Sequence, residues 1–299
     1  MPQPTLRQLS FLLAISEHGS FVSAAEQSSI TQPSLSSAIK ELETILGARL
    51  VERGRNGATL TPAGEIAVTH ARSILSSVDE LTEAVQGAAE PLTGSFRLGV
   101  IPTIAPFLLP QILPKTRAVY RKLKLYLRED LTGRLVDGLR AHTLDAALIA
   151  LPYEAQNIDT MALFDDEFLF VSLADHPLLV KPQLSLGDLE GESVLLLEDG
   201  HCLRDHAISV CGLIRPGQEE VRATSLFTLV QMAAGGLGVS LLPRLAADAG
   251  LAGEGLVVRP FDPPVIGRQI GLAWRRGSGR VAEVKALAAL LKDARKKLS

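Results

Sequence analysis

One long helical pattern separates an N-terminal part from a C-terminal part in this chain of 299 residues. The pattern begins at Thr61-Pro62, and apolar residues recur in it every three or four positions up to about Glu90. These positions are Ala71, Ile74, Leu75, Val78, Leu81 and Val85. At about 1.5 Å per residue, such a helix would be roughly 43 Å long. Because a lone helix of that length leaves its apolar stripe uncovered, the pattern predicts a homodimer in which two copies of this helix pair.

The residues before this helix predict three shorter helices and a hairpin. A helix over residues 5–18 is followed by Ser20, which can cap a second helix, and by a third helix from Gln32 to Leu46. Residues 49–64 then read as two short strands around Asn56-Gly57, a strong hairpin signal. The predicted core positions are Leu6, Leu9, Leu13, Ile15, Leu35, Ile39, Leu42 and Leu46. Helices joined by a tight turn and followed by a basic hairpin are typical of a winged helix-turn-helix.

After Pro91 and Gly94 the sequence changes to strands that alternate with helices. The strand patterns are SFRLGVI, LKLYLRE, DAALIAL, EFLFVSLA, SVLLLE, GVSLLP and RQIGLAWR. This rhythm predicts a mostly parallel sheet with helices on its faces. The length of this part suits two lobes with a cleft between them, lined by the carboxyl ends of the strands.

The predicted fold is therefore an α+β multidomain chain. A winged helix-turn-helix is expected over residues 1–61, a linker helix over 62–92 and a regulatory domain over 93–299. The regulatory domain is expected to have two α/β lobes, as in periplasmic binding proteins. Lobe I would span about 93–166 and 270–299, and lobe II about 167–269.

Composition limits the classes of function. Hydrophobic residues are 46% and charged residues 21%, which is ordinary for a globular protein, and the net charge is −3. Overall charge does not indicate a nucleic-acid partner, so any case for DNA rests on local pattern. Without a secretory signal or an apolar run of about 18 residues, a cytoplasmic protein with no membrane contact is expected. Cysteines there stay reduced, so a close pair indicates catalysis, metal binding or redox sensing.

The two cysteines of the chain, Cys202 and Cys211, are such a close pair. Cys202 follows a strand pattern and precedes residues of helical character, so its thiol is expected near the positive end of a helix dipole. His201, Arg204 and His206 can add positive charge nearby. This setting favours the thiolate, which attacks a peroxide oxygen and becomes a sulfenic acid. Cys211 is the only other thiol within one subunit that can condense with that sulfenic acid.

The spacing of the two cysteines also predicts a conformational change. If residues 202–211 formed one helix, the nine steps between them would rise about 13.5 Å and turn about 900°, which places the side chains on opposite faces. A disulfide needs Cα atoms within about 7 Å of each other. The helix and the disulfide therefore exclude each other, so forming the bond must repack the segment.

Three N-terminal segments resemble the winged helix-turn-helix of LysR-type transcriptional regulators. They are EHGSFVSAAEQ, TQPSLSSAIKELETILG and LVERGRNGATLTPAG. The linker helix and the two-lobed domain also agree with that family, so the resemblance covers the whole chain. Within the family, GVIPTIAPFLLPQILP, LLLEDGHCLRDHA, Cys211 and RATSLFTLVQMAAGGLGVSLLP resemble the activators that sense hydrogen peroxide.

A DNA-binding face is expected on the third helix and the wing. The expected contacts are Gln32, Pro33, Ser34, Ser36, Ser37, Lys40, Arg53 and Arg55. In the major groove, Gln32 and Ser36 would lie nearest the base edges, and Ser34, Ser37 and Lys40 nearer phosphate. The resemblance implies that Arg53 grips the DNA backbone and that Arg55 reaches the minor groove.

The resemblance also implies a peroxide pocket and a set of partners. Thr103, Thr132, His201 and Cys202 would form the pocket, although each threonine can instead be a helix N-cap. The implied partners are double-stranded promoter DNA, RNA polymerase, hydrogen peroxide, a cytoplasmic thiol reductant and further subunits in a homotetramer. Neither a cofactor nor a metal is expected.

The sequence leaves three other functional interpretations open. His201, Cys202, His206 and Cys211 are four possible zinc ligands, although paired C-x-x-C spacing is absent. A metabolite-responsive regulator of the same family would use the cleft and leave the cysteines without a sensing role. An enzyme is disfavoured because AAGGLG at 233–238 follows a helix rather than a strand, which indicates a C-cap and turn instead of a phosphate loop.

Overall fold

A computed structural model describes residues 2–54, 57–86, 91–204 and 222–296 of the chain. The chain divides near residue 90 into an N-terminal unit and a C-terminal unit. Within the described ranges, no helix combines the length and the apolar character needed to cross a lipid bilayer.

The N-terminal unit contains helices and a two-stranded hairpin. Its elements are α1 (Leu6–His18), α2 (Phe21–Gln27), α3 (Gln32–Leu46), β1 (Val51–Gly54), β2 (Gly57–Leu60) and α4 (Pro62–Gln86). Gly19 and Gly47 end α1 and α3 in the left-handed conformation, with φ of 62° and 65°. The Ser20 hydroxyl accepts a hydrogen bond from the backbone N–H of Val22 and caps α2, as predicted. The predicted order of helix, turn, helix and hairpin is therefore confirmed.

Two of the predicted core positions of this unit are wrong. Leu6 is 45% exposed and Leu46 is 44% exposed. At about 100° per residue, Leu6 lies two and a half turns before the buried Ile15, on the opposite side of α1. Leu46 shares the buried arc of α3 but is the last residue of the helix, beyond the end of the core at Leu42. The buried face of α1 instead includes Phe11 and Leu12.

Backbone contacts seat the hairpin against the helices. The backbone N–H of Ala58 donates to the carbonyl oxygen of Gly19, 2.8 Å away. Gly57 has a φ of 130°, and a Cβ at this position would lie 2.4 Å from that same oxygen, so only glycine fits. The carboxylate of Glu43 accepts the backbone N–H groups of Leu50 and Val51 at 2.8 and 3.2 Å. The third helix therefore holds the first strand of the wing through its own side chain.

The long helix α4 begins at the predicted residue. Thr61 precedes it, and the Thr61 hydroxyl accepts the backbone N–H of Gly64 at 3.0 Å. The last described residue of α4 is Gln86, so the end predicted near Glu90 lies outside the described residues. Among the described side chains of α4, the large apolar residues Ile66, Ile74 and Leu81 are exposed in the single chain, at 63%, 44% and 64%.

The C-terminal unit is built on one large sheet. Its strands are β3 (Gly94–Val100), β4 (Leu123–Glu129), β5 (Ala146–Leu151), β6 (Ile158–Leu173), β7 (Val194–Leu197), β8 (Arg222–Ala223), β9 (Val239–Pro243), β10 (Leu256–Pro260) and β11 (Gly267–Arg275). Its described helices are α5 (Ala105–Val119), α6 (Thr132–Arg140), α7 (Leu226–Ala234), α8 (Arg244–Asp248) and α9 (Val281–Lys296), with short 3-10 turns at Pro177–Val180 and Leu186–Leu189.

The sheet is mixed, so the prediction of a mostly parallel sheet is wrong. The strand order is β4-β3-β5-β11-β6-β9-β7-β8, with β10 also on β6. Pairs β3–β4, β3–β5, β7–β8 and β7–β9 are parallel. All pairs that involve β6 or β11 are antiparallel. These two strands run against their neighbours because they carry the chain between the two halves of the sheet.

Strand β6 belongs to both lobes. Its first half, from Ile158 to Phe164, pairs with β11 beside β5, and its last residues pair with β9 and β10. Between them, Asp165 to Glu167 pair with Gln269 to Gly267 at the beginning of β11. The predicted two-lobed α/β plan is confirmed, with parallel strands on each side of this crossing.

Candidate functional site

Cys202 begins a helical turn directly after the carboxyl end of a strand. After β7, the backbone N–H of Glu198 donates to the carbonyl of Ala223, which extends the pairing with β8. Gly200 follows with a φ of 91°, and residues 202–204 are helical. The half-buried Cys202 packs against the core of the C-terminal unit.

The charges around Cys202 differ from the expected ones. Burial lowers the pKa of His201 from its ordinary value, against a smaller opposing effect of the Glu198 carboxylate. The imidazole is therefore neutral near pH 7 and adds no positive charge. Nη1 of Arg204 lies 2.7 Å from Oδ1 of Asp199, whose Oδ2 is 3.0 Å from Nη1 of Arg222. The positive charge predicted at Arg204 is thus shared with an acidic partner.

Thr132 brings a buried hydroxyl to the same region. It is the first residue of α6 and is 4% exposed, and within the described part of the chain its Oγ1 has no hydrogen-bond partner. A Cβ on Gly200 would lie 3.2 Å from Cδ1 of Leu131, the residue before Thr132. The cysteine segment therefore approaches the start of α6. A buried hydroxyl without a partner there is a polar group that a small ligand can satisfy.

Thr103 follows strand β3, the neighbour of β4, and its hydroxyl accepts a hydrogen bond from Arg268. The carboxyl ends of β3 and β4 are adjacent, because Val100 pairs with Glu129. Thr103 is 2% exposed, and its Oγ1 accepts a hydrogen bond of 2.6 Å from Nη1 of Arg268. The N-cap position of α5 belongs to Ile104, so the hydroxyl of Thr103 does not cap that helix.

Arg268 and Asp166 contact the candidate site residue Thr103, directly or through each other, and were not predicted from the sequence. Nε and Nη2 of Arg268 donate to Oδ2 of Asp166 at 3.1 and 3.0 Å, and Nη2 also donates to the carbonyl of Thr103 at 3.0 Å. Both charged side chains are fully buried. The sequence feature that could have revealed them is a charged residue at an inward-facing position of an apolar strand. Asp166 has such a position in FDDEFLF, and Arg268 has one in RQIGLAW.

The predicted DNA-binding residues of α3 form an exposed face. Gln32, Pro33, Ser34, Ser37 and Lys40 are exposed and Ser36 is half-buried. The hydroxyls of Thr31 and Ser34 are 2.8 Å apart, at the beginning of the helix. Arg53 is in β1, and Arg55 lies outside the described residues.

Comparison with known families then decides the class of protein. Residues 6–65 match the bacterial regulatory helix-turn-helix proteins of the lysR family, and residues 89–296 match the LysR substrate binding domain. The chain belongs to the LysR family of bacterial transcription regulators. These relatives of the chain are regulators and not enzymes, as predicted.

Relatives of this LysR-family chain include proteins named for hydrogen peroxide. A probable hydrogen peroxide-inducible genes activator of Streptomyces viridosporus is 40% identical, over 99% of this chain and 96% of the relative. The DNA-binding transcriptional dual regulator OxyR of Escherichia coli K12 is 39% identical, over 91% of this chain and 90% of the relative.

Two solved structures of OxyR also resemble this LysR-family chain. Full-length OxyR of Pseudomonas aeruginosa with a cysteine-to-aspartate substitution has a TM-score of 0.82 and 35% identity, covering 98% of this chain and 96% of that one. A Corynebacterium glutamicum OxyR mutant with hydrogen peroxide bound has a TM-score of 0.69 and 37% identity, covering 99% of this chain and 94% of that one. The predicted resemblance to the hydrogen peroxide-sensing activators of the family is therefore confirmed.

Some predicted site residues of this LysR-family regulator lie outside the described residues. They are Arg55, His206 and Cys211. Within the described ranges, no group of three histidine, cysteine, aspartate or glutamate side chains is arranged to hold a metal ion. The AAGGLG segment ends α7, with Gly235 as its C-cap, as predicted.

Proposed function

We propose that this LysR-family regulator is a DNA-binding activator that senses hydrogen peroxide through Cys202 and switches on oxidative-stress genes. The observation that carries the proposal is the approach of Gly200, two residues before Cys202, to Leu131, the residue before Thr132. The buried hydroxyl of Thr132 has no hydrogen-bond partner within the part of the chain that the structure describes. Relatives named as hydrogen peroxide-inducible genes activators support the choice of stimulus.

The first chemical step is a displacement at oxygen. The Cys202 thiolate attacks one oxygen of hydrogen peroxide, an S–O bond forms, and the O–O bond breaks. The second oxygen leaves with the electron pair of that bond and takes a proton to become water. A pocket assists by donating hydrogen bonds to the departing oxygen, where negative charge develops. Thr103, Thr132 and the neutral His201 are the proposed donors.

The second step joins the two cysteines. The Cys211 thiol attacks the sulfenic sulfur, a disulfide forms, and hydroxide leaves and is protonated to water. If residues 202–211 form one helix before oxidation, that helix is incompatible with the bond and the segment must repack, and this change is the proposed signal. A thiol reductant returns both cysteines to thiols by exchange, in the cytoplasm.

The output is proposed to be altered binding to promoter DNA. Helix α3 enters the major groove with Gln32 and Ser36 towards the bases, while Lys40 and Arg53 meet phosphate. Pairing of α4 between subunits forms the dimer, and two dimers form a tetramer that recruits RNA polymerase on the nucleoid. The proposed boundaries are 1–61 for the DNA-binding domain, 62–92 for the linker and 93–299 for the regulatory domain, with lobe II at about 167–269.

Mass spectrometry and DNA footprinting test the proposal together. After stoichiometric peroxide, we expect a peptide pair joined by a Cys202–Cys211 bond and a footprint that differs from that of the reduced protein. A protein that keeps both thiols under this treatment would refute the proposed sensor. The Cys202→Ser variant distinguishes the peroxide sensor from a metabolite-responsive regulator. A metabolite-responsive regulator would keep its response in this variant, whereas the proposed sensor would lose its response to peroxide.

A further inference from the structure

We infer that Asp166 is a positioning residue for the peroxide reaction, because it holds Arg268 in the orientation that turns the hydroxyl hydrogen of Thr103 towards the pocket. The inference rests on the proposed function and deepens it. Asp166 and Arg268 face each other across β6 and β11, and both side chains are fully buried. A buried arginine in this place has a fixed direction only if its partner is fixed as well.

The carboxylate of Asp166 is held at both oxygens. Oδ2 accepts Nε and Nη2 of Arg268, while Oδ1 accepts the backbone N–H of Leu245 at 2.9 Å. Leu245 is the second residue of α8, which follows β9. Rotation of the carboxylate would break a hydrogen bond on one side or the other. Asp166 therefore ties the guanidinium of Arg268 to the backbone of α8.

The anchored guanidinium decides how Thr103 presents its hydroxyl. Nη1 of Arg268 donates to Oγ1 of Thr103, and Nη2 donates to its carbonyl oxygen. A guanidinium has only donors, so the O–H bond of Thr103 must point away from Arg268. The hydroxyl hydrogen is then available to the oxygen that departs from peroxide. Donation from a positive group to Oγ1 also strengthens the hydroxyl as a donor.

The next residue along β6 provides a matched control. The Glu167 carboxylate pairs with Arg244, the first residue of α8, with Oε2 lying 2.7 Å from Nε and 2.6 Å from Nη2. Because side chains alternate along a strand, Glu167 faces the opposite side of β6 from Asp166. Glu167→Gln therefore weakens an ion pair between the same two elements without touching Thr103.

The test uses the full chain with Cys211→Ser, in which Cys202 is the one remaining thiol. The rates at which hydrogen peroxide and iodoacetamide consume this thiol are measured at the same pH. We expect Asp166→Asn to slow the peroxide reaction by about ten- to hundred-fold, the value of a hydrogen bond to a charged group, and to leave alkylation unchanged. Glu167→Gln should leave both rates unchanged. An unchanged peroxide rate in Asp166→Asn, or an equal fall in both rates, would overturn the inference.

A double-mutant cycle with Thr103→Val separates this inference from the proposed pocket. If Asp166 acts through Thr103, Asp166→Asn adds no further slowing when Thr103 is already valine. If Thr103→Val alone changes nothing, the proposed pocket is wrong. If Thr103→Val slows the reaction and Asp166→Asn does not, only the positioning role is wrong. Should Asp166→Asn fail to fold, Arg268→Lys replaces it under the same criteria, because lysine keeps the buried charge but cannot reach Thr103 and Asp166 together.

Discussion

Oε1 of Glu43 lies 2.8 Å from the backbone nitrogen of Leu50, so the third helix of the DNA-binding unit carries the acceptor that orients the wing. The same oxygen accepts the N–H of Val51. Glu43→Ala should lower the free energy of unfolding by about 1–3 kcal/mol, since two backbone donors lose their acceptor. It should also weaken DNA binding because the wing is released.

Glu43→Gln is the control for this prediction, because the amide oxygen remains an acceptor at nearly the same place. Chemical denaturation and a DNA-binding titration measure the two effects. Equal stability of the alanine and parent proteins would show that these contacts do not hold the wing.

The salt dependence of DNA binding tests the assignment of Arg53 to phosphate. Arg53→Ala should reduce affinity and make the slope of log K against log salt shallower by about 0.9, the value for one phosphate contact. Lys124→Ala, on the exposed strand β4 of the C-terminal unit, is the control and should change neither. An unaltered slope and affinity in Arg53→Ala would remove this residue from the interface.

Pairing of α4 is tested at Leu81, which is 64% exposed in the single chain. Leu81→Asp should convert the dimer into monomers, because an aspartate cannot be buried against an apolar stripe without a partner. Sedimentation velocity measures the mass, and Thr82→Asp, at the next exposed position, is the control. A Leu81→Asp protein that remains dimeric would place the subunit interface elsewhere.

Replacing the buried hydroxyl of Thr132 should separate stability from reactivity. Thr132→Val removes a buried polar group that has no partner among the described residues, so stability should stay the same or rise by about 1 kcal/mol. The rate of Cys202 oxidation by peroxide should fall by about ten- to hundred-fold, because the proposed hydrogen bond to the reacting peroxide would be lost. Stopped-flow oxidation and thermal melting provide the two readouts. A slower reaction accompanied by a large loss of stability would point to structural damage instead.

The lowered pKa of His201 predicts a dependence of stability on pH. Burial lowers the folded-state pKa, so the unfolded chain binds the proton more readily. The contribution to stability is therefore complete above the ordinary pKa of about 6.5 and decreases as pH falls from there towards the folded-state pKa. His201→Gln should remove this slope in denaturant unfolding measured across that window. Parallel curves for the two proteins would contradict the assignment.

Local signals made the N-terminal unit largely predictable from sequence. Helix α3 occupies the predicted residues because Gly47 ends it in the left-handed conformation and its apolar positions fall on one arc. Leu6 was predicted to be buried because it is apolar, but the first buried residue of α1 is Gln8. Patterns of this kind depend on near neighbours in the chain, which sequence reasoning reads well.

Long-range contacts explain what the sequence did not reveal. The first half of β6, IDTMALF, has no regular alternation of polar and apolar residues and was not recognised as part of the strand that crosses both lobes. Asp166 and Arg268 come together across two strands that are 102 residues apart in sequence. Neither residue has a local sequence feature from which its partner could be identified. The candidate pocket could be predicted at Thr103 and Thr132 through the family resemblance, but the charged pair behind it required the fold.

The pairing of β7 with β8 has a thermodynamic consequence for the redox segment. Leu196 and Leu197 pair with Arg222 and Ala223, so both ends of the intervening chain are anchored side by side. The entropy of closing this loop is already lost in the reduced protein. The proposed disulfide between Cys202 and Cys211 would subdivide a closed loop and would not draw distant parts of the chain together. Most of the cost of the proposed oxidation would then be local repacking, which a modest change in the sequence of the loop could tune without disturbing the sheet.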